Sequence, residues 1–314
     1  RKPEAGQDPA DAPVVTQFEM GGVESLGLLK MDFLGLRNLD VITDTQAMVR
    51  RSRNPDLDID DIPLDDALTF NLLGKGDTIG VFQLESPPMR QLLRAMAPSS
   101  FDDVGALIAL YRPGPMSANM HYDYADRKNG RKPVEYFHDD AIEVLHDTFG
   151  LMIYQESVMR VAQKFAGYSL AEADSLRKAM GKKSREVMAK AREAFESGCR
   201  NKGYDDLGRH LFDIIEKFAD YAFNKSHSYG YGLVTYQTAY LKAHYPVEYF
   251  ACLLTSVKSS LEKAAIYLAE CRAMGIEVVV PDVNRSSSDF TPEITPLDDG
   301  AEGLALRLQW DAEP

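Results

Sequence analysis

Lys30 and Asp32 stand two apart in the alternating stretch Leu29-Lys30-Met31-Asp32-Phe33. On a strand, residues two apart share a face. The ammonium and the carboxylate would then point one way while Leu29, Met31 and Phe33 turn to a core. Such a pair can hold a metal ion and a phosphate side by side. The ordinary alternative is an exposed ion pair worth less than ~1 kcal/mol. A second group, running from Arg177 and Lys178 through Gly181 to Lys182, Lys183, Ser184 and Arg185, is densely basic. From Asp174 to Arg192 there are seven Lys or Arg residues against two acids, within a chain of net charge −13. A helix break at Gly181 would set the free N–H groups of the next helix beside these cations, which suits a phosphate. A solvated helix face is the plainer reading.

The third group is Phe223-Asn224-Lys225-Ser226-His227-Ser228-Tyr229-Gly230-Tyr231-Gly232. It sets an amide, an ammonium, hydroxyls, an imidazole and two phenol rings on one turn entering a helix. That turn can bond a phosphate and offer a ring to a base; Ser226 as a simple helix cap is the alternative. The fourth is Tyr111-Arg112-Pro113-Gly114-Pro115-Met116, a stiff turn presenting one arginine. Two other stretches imitate sites. Gly74-Lys75-Gly76-Asp77-Thr78-Ile79-Gly80 has one residue too many for a dinucleotide fingerprint and no strand before it. Pro55-Asp56-Leu57-Asp58-Ile59-Asp60 has the form of an acidic metal motif but reads as solvated linker. The six histidines show no HxxxH or HxH spacing, so zinc held by protein ligands is not indicated.

The elements that must position these groups are mostly helical. Residues 14–20 and 27–33 read as two short strands, and the second leads into a helical pattern over 34–51. Residues 52–66, rich in Pro and Asp, read as a connector. From residue 67 to about 260 the apolar spacing is helical, with helices expected over 87–96, 101–110, 156–166, 170–180, 184–202, 207–223 and 227–244. A further helix is expected over 262–274 and a strand over 277–280. Residues 1–13 read as a loose tail and 284–314 as an acidic, poorly packed one.

The length of 314 residues suits roughly two domains at ~150 residues each. Apolar content of 45% is enough for a real core. No run approaches the ~20 apolar residues of a membrane helix, and nothing marks secretion. Arg1 at the start suggests a processed chain, an excised piece or a fragment. Three cysteines without CxxC spacing exclude a disulfide framework and a zinc ribbon, leaving buried reduced thiols in a cytoplasmic protein. The acidic balance argues against a uniformly basic nucleic-acid binder, but not against a basic groove on an acidic body.

Seven ordered stretches, KMDFLGLRN (30–38), GVFQLES (80–86), LYRPGPM (110–116), IYQE (153–156), LRKAMGKK (176–183), FNKSH (223–227) and YQTAYLKAHYP (236–246), resemble the bacterial replicative DNA polymerase III α subunit, a C-family polymerase. The likeness runs over roughly residues 14–285. It implies a mainly α fingers domain (67–283) joined through a connector (52–66) to a small α+β palm remnant (14–51) of polymerase β-like nucleotidyltransferase fold. It implies Asp32 as the third of three aspartates that hold two Mg²⁺ ions, with Lys30 reaching the triphosphate. The family's PDxDxD motif precedes KMDFLGL, whereas the PDLDID stretch here follows it, so most of the palm is expected to be missing. Arg177, Lys178, Lys182 and Lys183 would hold the triphosphate of a dNTP. Asn224, Lys225, Ser226 and His227 would line the nucleotide pocket, with Tyr231 or Tyr229 on the sugar or base and Arg112 near phosphate or template. Template-primer DNA is the implied partner. A sliding clamp and other holoenzyme subunits would join through other domains, and a fragment with one metal carboxylate would be inactive alone. A non-catalytic nucleotide-binding helical module and a translesion C-family polymerase are the alternative readings.

Overall fold

Helix boundaries in this chain follow local capping chemistry. The structure, a computed structural model, describes residues 8, 10, 12, 14–31, 35–182, 185–218, 223–296 and 302–309. Fifteen α-helices and three strands lie among the described residues. The chain divides into two units, Arg1–Leu36 and Arg37–Pro314.

The first unit carries α1 (Met20–Ser25), capped by Glu19, whose carboxylate accepts from the Gly21 and Gly22 N–H groups. The strands expected over 14–20 and 27–33 do not form in the described part of those stretches: residues 14–16 and 28–31 carry no strand pairing. Alternation proposes a strand, but a strand exists only where a neighbour takes its backbone groups. Leu28, Leu29 and Met31 are accordingly exposed.

The second unit opens with α2 (Arg37–Ser52), α3 (Ala67–Lys75), α4 (Pro87–Met96) and α5 (Phe101–Leu110). Asp66 caps α3, which ends on Gly76 in the left-handed region. Pro87 begins α4, and Ser100 with Asp103 forms a reciprocal capping box on α5. Next come α6 (Pro113–Ser117), α7 (Met120–Lys128), the short α8 (Ile142–Leu145), α9 (Gln155–Ala166), α10 (Leu170–Lys182), α11 (Arg185–Asn201) and α12 (Leu207–Phe218). The unit closes with α13 (Lys225–His244), α14 (Pro246–Ser256), α15 (Leu261–Ala273) and the strands β1 (Val278–Val279), β2 (Thr291–Pro296) and β3 (Glu302–Arg307). The chain is thus mainly α with a small β component.

Two apolar cores divide this unit. One gathers α2–α5, α7, α13–α15 and the sheet; the other gathers α8–α12. Helix α13 runs through the first and packs on α2, α3, α5 and α14. It is buried on several sides, so its polar residues must find partners inside. Ser228 donates to the Gly105 carbonyl and Gln237 to that of Ile59. The Tyr236 hydroxyl donates to Pro63. Gly105 of α5 lets the Tyr229 ring approach closely, since a Cβ there would fall 2.9 Å from its Cε2.

Two segments are better packed than their composition implies. In the 52–66 connector Leu57, Ile59 and Ile62 are buried in the first core. Its backbone is tied by Arg50 to the Leu57 carbonyl and by Gln46 to the Ile59 N–H. The carboxylates of Asp58 and Asp60 stay exposed, as a solvated acidic stretch requires. Within the tail expected to pack poorly, β3 pairs parallel to β1 and antiparallel to β2, with Leu306 opposite Val278 and Pro292. Ala305 and Leu306 are fully buried. Average acidity hid two short strand patterns there. Pro292 and Pro296 are tolerated because β2 is an edge strand.

Candidate functional site

The start of α13 is tied to the start of α9 by the backbone. Tyr154 and Phe223 form an isolated parallel bridge, in which the Gln155 N–H donates to the Phe223 carbonyl at 2.9 Å. The IYQE and FNKSH stretches, far apart in the chain, therefore meet. Asn224 caps α13: its Oδ1 accepts from the His227 N–H at 2.8 Å. Its amide donates to Glu156 Oε1 at 3.2 Å, and the Lys225 N–H donates to Glu156 Oε2 at 3.0 Å. A carboxylate thus already stands at the positive end of this helix. Ser226, the cap in the alternative reading of this turn, is instead an exposed first-turn residue.

Lys225 is enclosed by partners. Its Nζ is 3.3 Å from Asp147 Oδ2 and 5.3 Å from the ring centroids of both Tyr154 and Tyr229. Asp147 is shared with Arg160, whose Nη2 is 3.1 Å from each carboxylate oxygen. Tyr229 donates its hydroxyl to Asp102. Burial first, and then this bond, push the Tyr229 phenol well above its ordinary value, so it stays a neutral donor. Arg112 lies over the Phe223 ring at 4.0 Å, and burial lowers its guanidinium from the usual value. His227 stacks on Tyr231 at 4.4 Å.

Of the basic stretch, Arg177 to Lys182 lie on α10, which packs on α9 and α11, and Arg185 begins α11. Gly181 does not break the helix; α10 continues to Lys182. Asp174 accepts from Arg177 at 2.7 Å and from Lys178 at 2.8 Å. The bonds from Lys178 and Arg177 hold the Asp174 carboxyl below its ordinary value. Among the described residues no hydrogen bond or ion pair joins Arg177 or Lys178 to α13. Helix α9 is the shared neighbour: Glu156 at its start bonds to α13, and the helix packs on α10. The Lys182 side chain, Lys183 and Asp32 lie outside the described residues. Lys30 belongs to the first unit and is exposed.

Asp147, Arg160, Tyr154 and Glu156 had no sequence-level assignment. Tyr154 and Glu156 lie in a stretch that carries the family likeness, but nothing in the spacing of Asp147 and Arg160 signals their pairing with Lys225. Among the described residues no group of three or more His, Cys, Asp or Glu is placed to hold a metal ion. Among them, too, no helix is long and apolar enough to cross a membrane.

Residues 38–203 match the family described as "Bacterial DNA polymerase III alpha subunit finger domain". This mainly helical unit is therefore of the polymerase fingers class. The curated relatives include the DNA polymerase III subunit alpha of Mycobacterium tuberculosis (strain ATCC 25618 / H37Rv), 56% identical over 287 residues that cover 90% of this chain and 24% of the relative. That of Thermus aquaticus is 49% identical, with 88% of this chain and 23% of the relative covered. That of Bacillus subtilis (strain 168) is 47% identical, with 89% and 25% covered. The chain belongs to the bacterial DNA polymerase III α subunit family and spans about a quarter of the length of these relatives.

Proposed function

We propose that this chain supplies the nucleotide-facing fingers and the closing palm segment of a cytoplasmic, DNA-directed DNA polymerase. The whole protein adds a deoxynucleotide to a primer end and releases pyrophosphate. The observation that carries this reading is the Tyr154–Phe223 bridge in a member of this family. It draws IYQE, FNKSH and, through Arg112 on Phe223, LYRPGPM onto one end of α13.

Phosphoryl transfer depends on positioning and charge neutralisation more than on covalent help. Arg177, Lys178, Lys182 and Lys183 hold the triphosphate in this reading. Asp174 now occupies Arg177 and Lys178, but such partly exposed pairs are worth at most ~1 kcal/mol, so a triphosphate takes them over at little loss. Asn224, Lys225, Ser226 and His227 line the pocket, Tyr231 packs on the sugar or base, and Arg112 contacts phosphate or template. Asp32 is the catalytic and metal-binding carboxylate that this chain contributes to a two-Mg²⁺ site. Template-primer DNA binds through salt-sensitive, sequence-independent contacts. In the whole protein, other domains engage a sliding clamp and further replicative subunits.

Two measurements test this. The isolated chain is expected to give no primer extension, and extension to appear when the missing palm is supplied; extension by the chain alone contradicts the reading. In a dNTP titration, the K182E/K183E variant is expected to bind more weakly. Equal binding removes the triphosphate cradle.

A further inference from the structure

The loop over residues 76–86 presents Phe82 to the end of α13 just described. Its ring stacks on Tyr231 with centroids 6.0 Å apart and planes inclined by 28°. Tyr231 in turn stacks on His227 at 4.4 Å and 24°. Three rings from two distant segments thus form one tier with Tyr231 as the shared member. Phe82 and Tyr231 are half-buried and His227 is exposed, so the tier reaches solvent.

The loop carrying Phe82 is held along its whole length. The Phe82 N–H donates to Thr238 Oγ1 at 3.1 Å, and the buried Tyr249 hydroxyl donates to the Gly80 carbonyl at 2.6 Å. The Lys242 ammonium donates to the carbonyls of Asp77 and Ile79 at 2.6 and 2.8 Å. Thr78 Oγ1 donates to the Leu84 carbonyl at 2.7 Å. Next to Phe82, Gln83 has φ 63°, a left-handed conformation that non-glycine residues seldom take. Strain of this kind persists where the surroundings over-determine it, and it clusters at ligand sites. A ring needed only as core filling would be buried; this one is half-buried, on a loop whose backbone is held by hydrogen bonds.

We propose that Phe82 is a base-stacking residue which, with Tyr231 and His227, forms the platform for the nucleobase of the incoming nucleotide. This rests on the nucleotide-site reading above. Stacking on an aromatic ring accepts any base, since every base has a π face, which suits a site that must take all four nucleotides.

The test uses 2-aminopurine deoxyribonucleoside triphosphate, whose fluorescence falls on stacking. Inorganic tripolyphosphate serves as a ligand with the phosphates and no base. A single-stranded oligonucleotide bearing one 2-aminopurine is the third probe. In the F82L variant the fluorescent nucleotide is expected to bind about tenfold more weakly and to lose its quenching, with tripolyphosphate binding unchanged. In F82W, affinity and quenching are expected to be kept or increased, and this arm stands if F82L does not fold. Equal nucleotide binding by the parent and F82L, or loss of quenching in F82W, overturns the Phe82 assignment and leaves the nucleotide site intact. Equal weakening of nucleotide and tripolyphosphate overturns it too, because the loop is then only a support. A Phe82 effect confined to the oligonucleotide overturns the assignment to the incoming base. Failure of the parent chain to bind either phosphate ligand overturns the underlying site as well.

Discussion

The Lys225 ammonium stands 3.3 Å from Asp147 Oδ2, a partner 78 residues earlier in the chain. Arg160 shares the same carboxylate, so one acid offsets two cations at the mouth of the candidate site. All three side chains are partly exposed, so the pairs contribute less than ~1 kcal/mol to stability. The D147N variant is expected to keep its melting temperature within a few degrees. It should bind tripolyphosphate several-fold more tightly at low salt, an advantage that shrinks as salt screens it. Calorimetric titration at two salt concentrations measures this. Weaker binding would mean that Asp147 orients Lys225 instead of competing for it.

Lys242 is a buried cation with a full set of acceptors. Its side chain is 0% exposed, and it donates to Asp77, Ile79 and Glu270, the last at 2.6 Å. Removing one member of such a pair strands the other in the interior, at about 3–5 kcal/mol. The K242M variant is therefore expected to unfold at distinctly lower denaturant concentration. Adding E270L should recover part of that loss, because a well-packed apolar pair removes the stranded charge.

The three cysteines are all buried and unbonded. Burial pushes the thiols of Cys199 and Cys252 up to about 11 and that of Cys271 to about 12. The nucleophile is the thiolate, so both access and ionisation disfavour reaction. A colorimetric disulfide reagent near neutral pH is expected to find no reactive thiol in the native chain. After denaturation it should find all three. Rapid modification of the native protein would show that one of these helices opens readily.

Asp66 links α13 to the start of α3. Burial pushes its carboxyl up, but bonds from His244 and from the Thr69 hydroxyl and N–H outweigh this and leave it below the ordinary 3.8. A carboxyl whose folded value lies below its unfolded one stabilises the fold in full above the unfolded value. That contribution is lost as pH falls through the folded value. Stability is thus expected to drop below about pH 4, with a shallower drop in D66N. The D66A variant should lose about 1 kcal/mol even at neutral pH through the missing helix cap. Thermal melts across the acid range measure both effects.

Much of the helical framework was legible because its signals are local. The expected helices over 87–96 and 101–110 form with those same boundaries, since Pro87 and the Ser100–Asp103 box mark their starts within one turn. Helices α7 and α14 lie within the stretch over 67–260 read as helical but had no bounds of their own: the first is short and mostly polar, and the second follows α13 after a single residue, Tyr245. The strands were misplaced in the other direction. The described residues of the alternating stretch 27–33 have no strand partner, while β2 and β3 found each other inside a stretch whose acidity suggested poor packing.

Residue type, spacing and resemblance settled which stretches matter and which family they belong to, because capping, periodicity and motif order are written along the chain. Which groups touch was decided only by the tertiary structure. The bridge from Tyr154 to Phe223, the sharing of Asp147 by Lys225 and Arg160, and the ring of Phe82 over Tyr231 all join segments far apart in sequence. Contacts of that kind follow from how helices bury their apolar faces against one another, which no local pattern encodes.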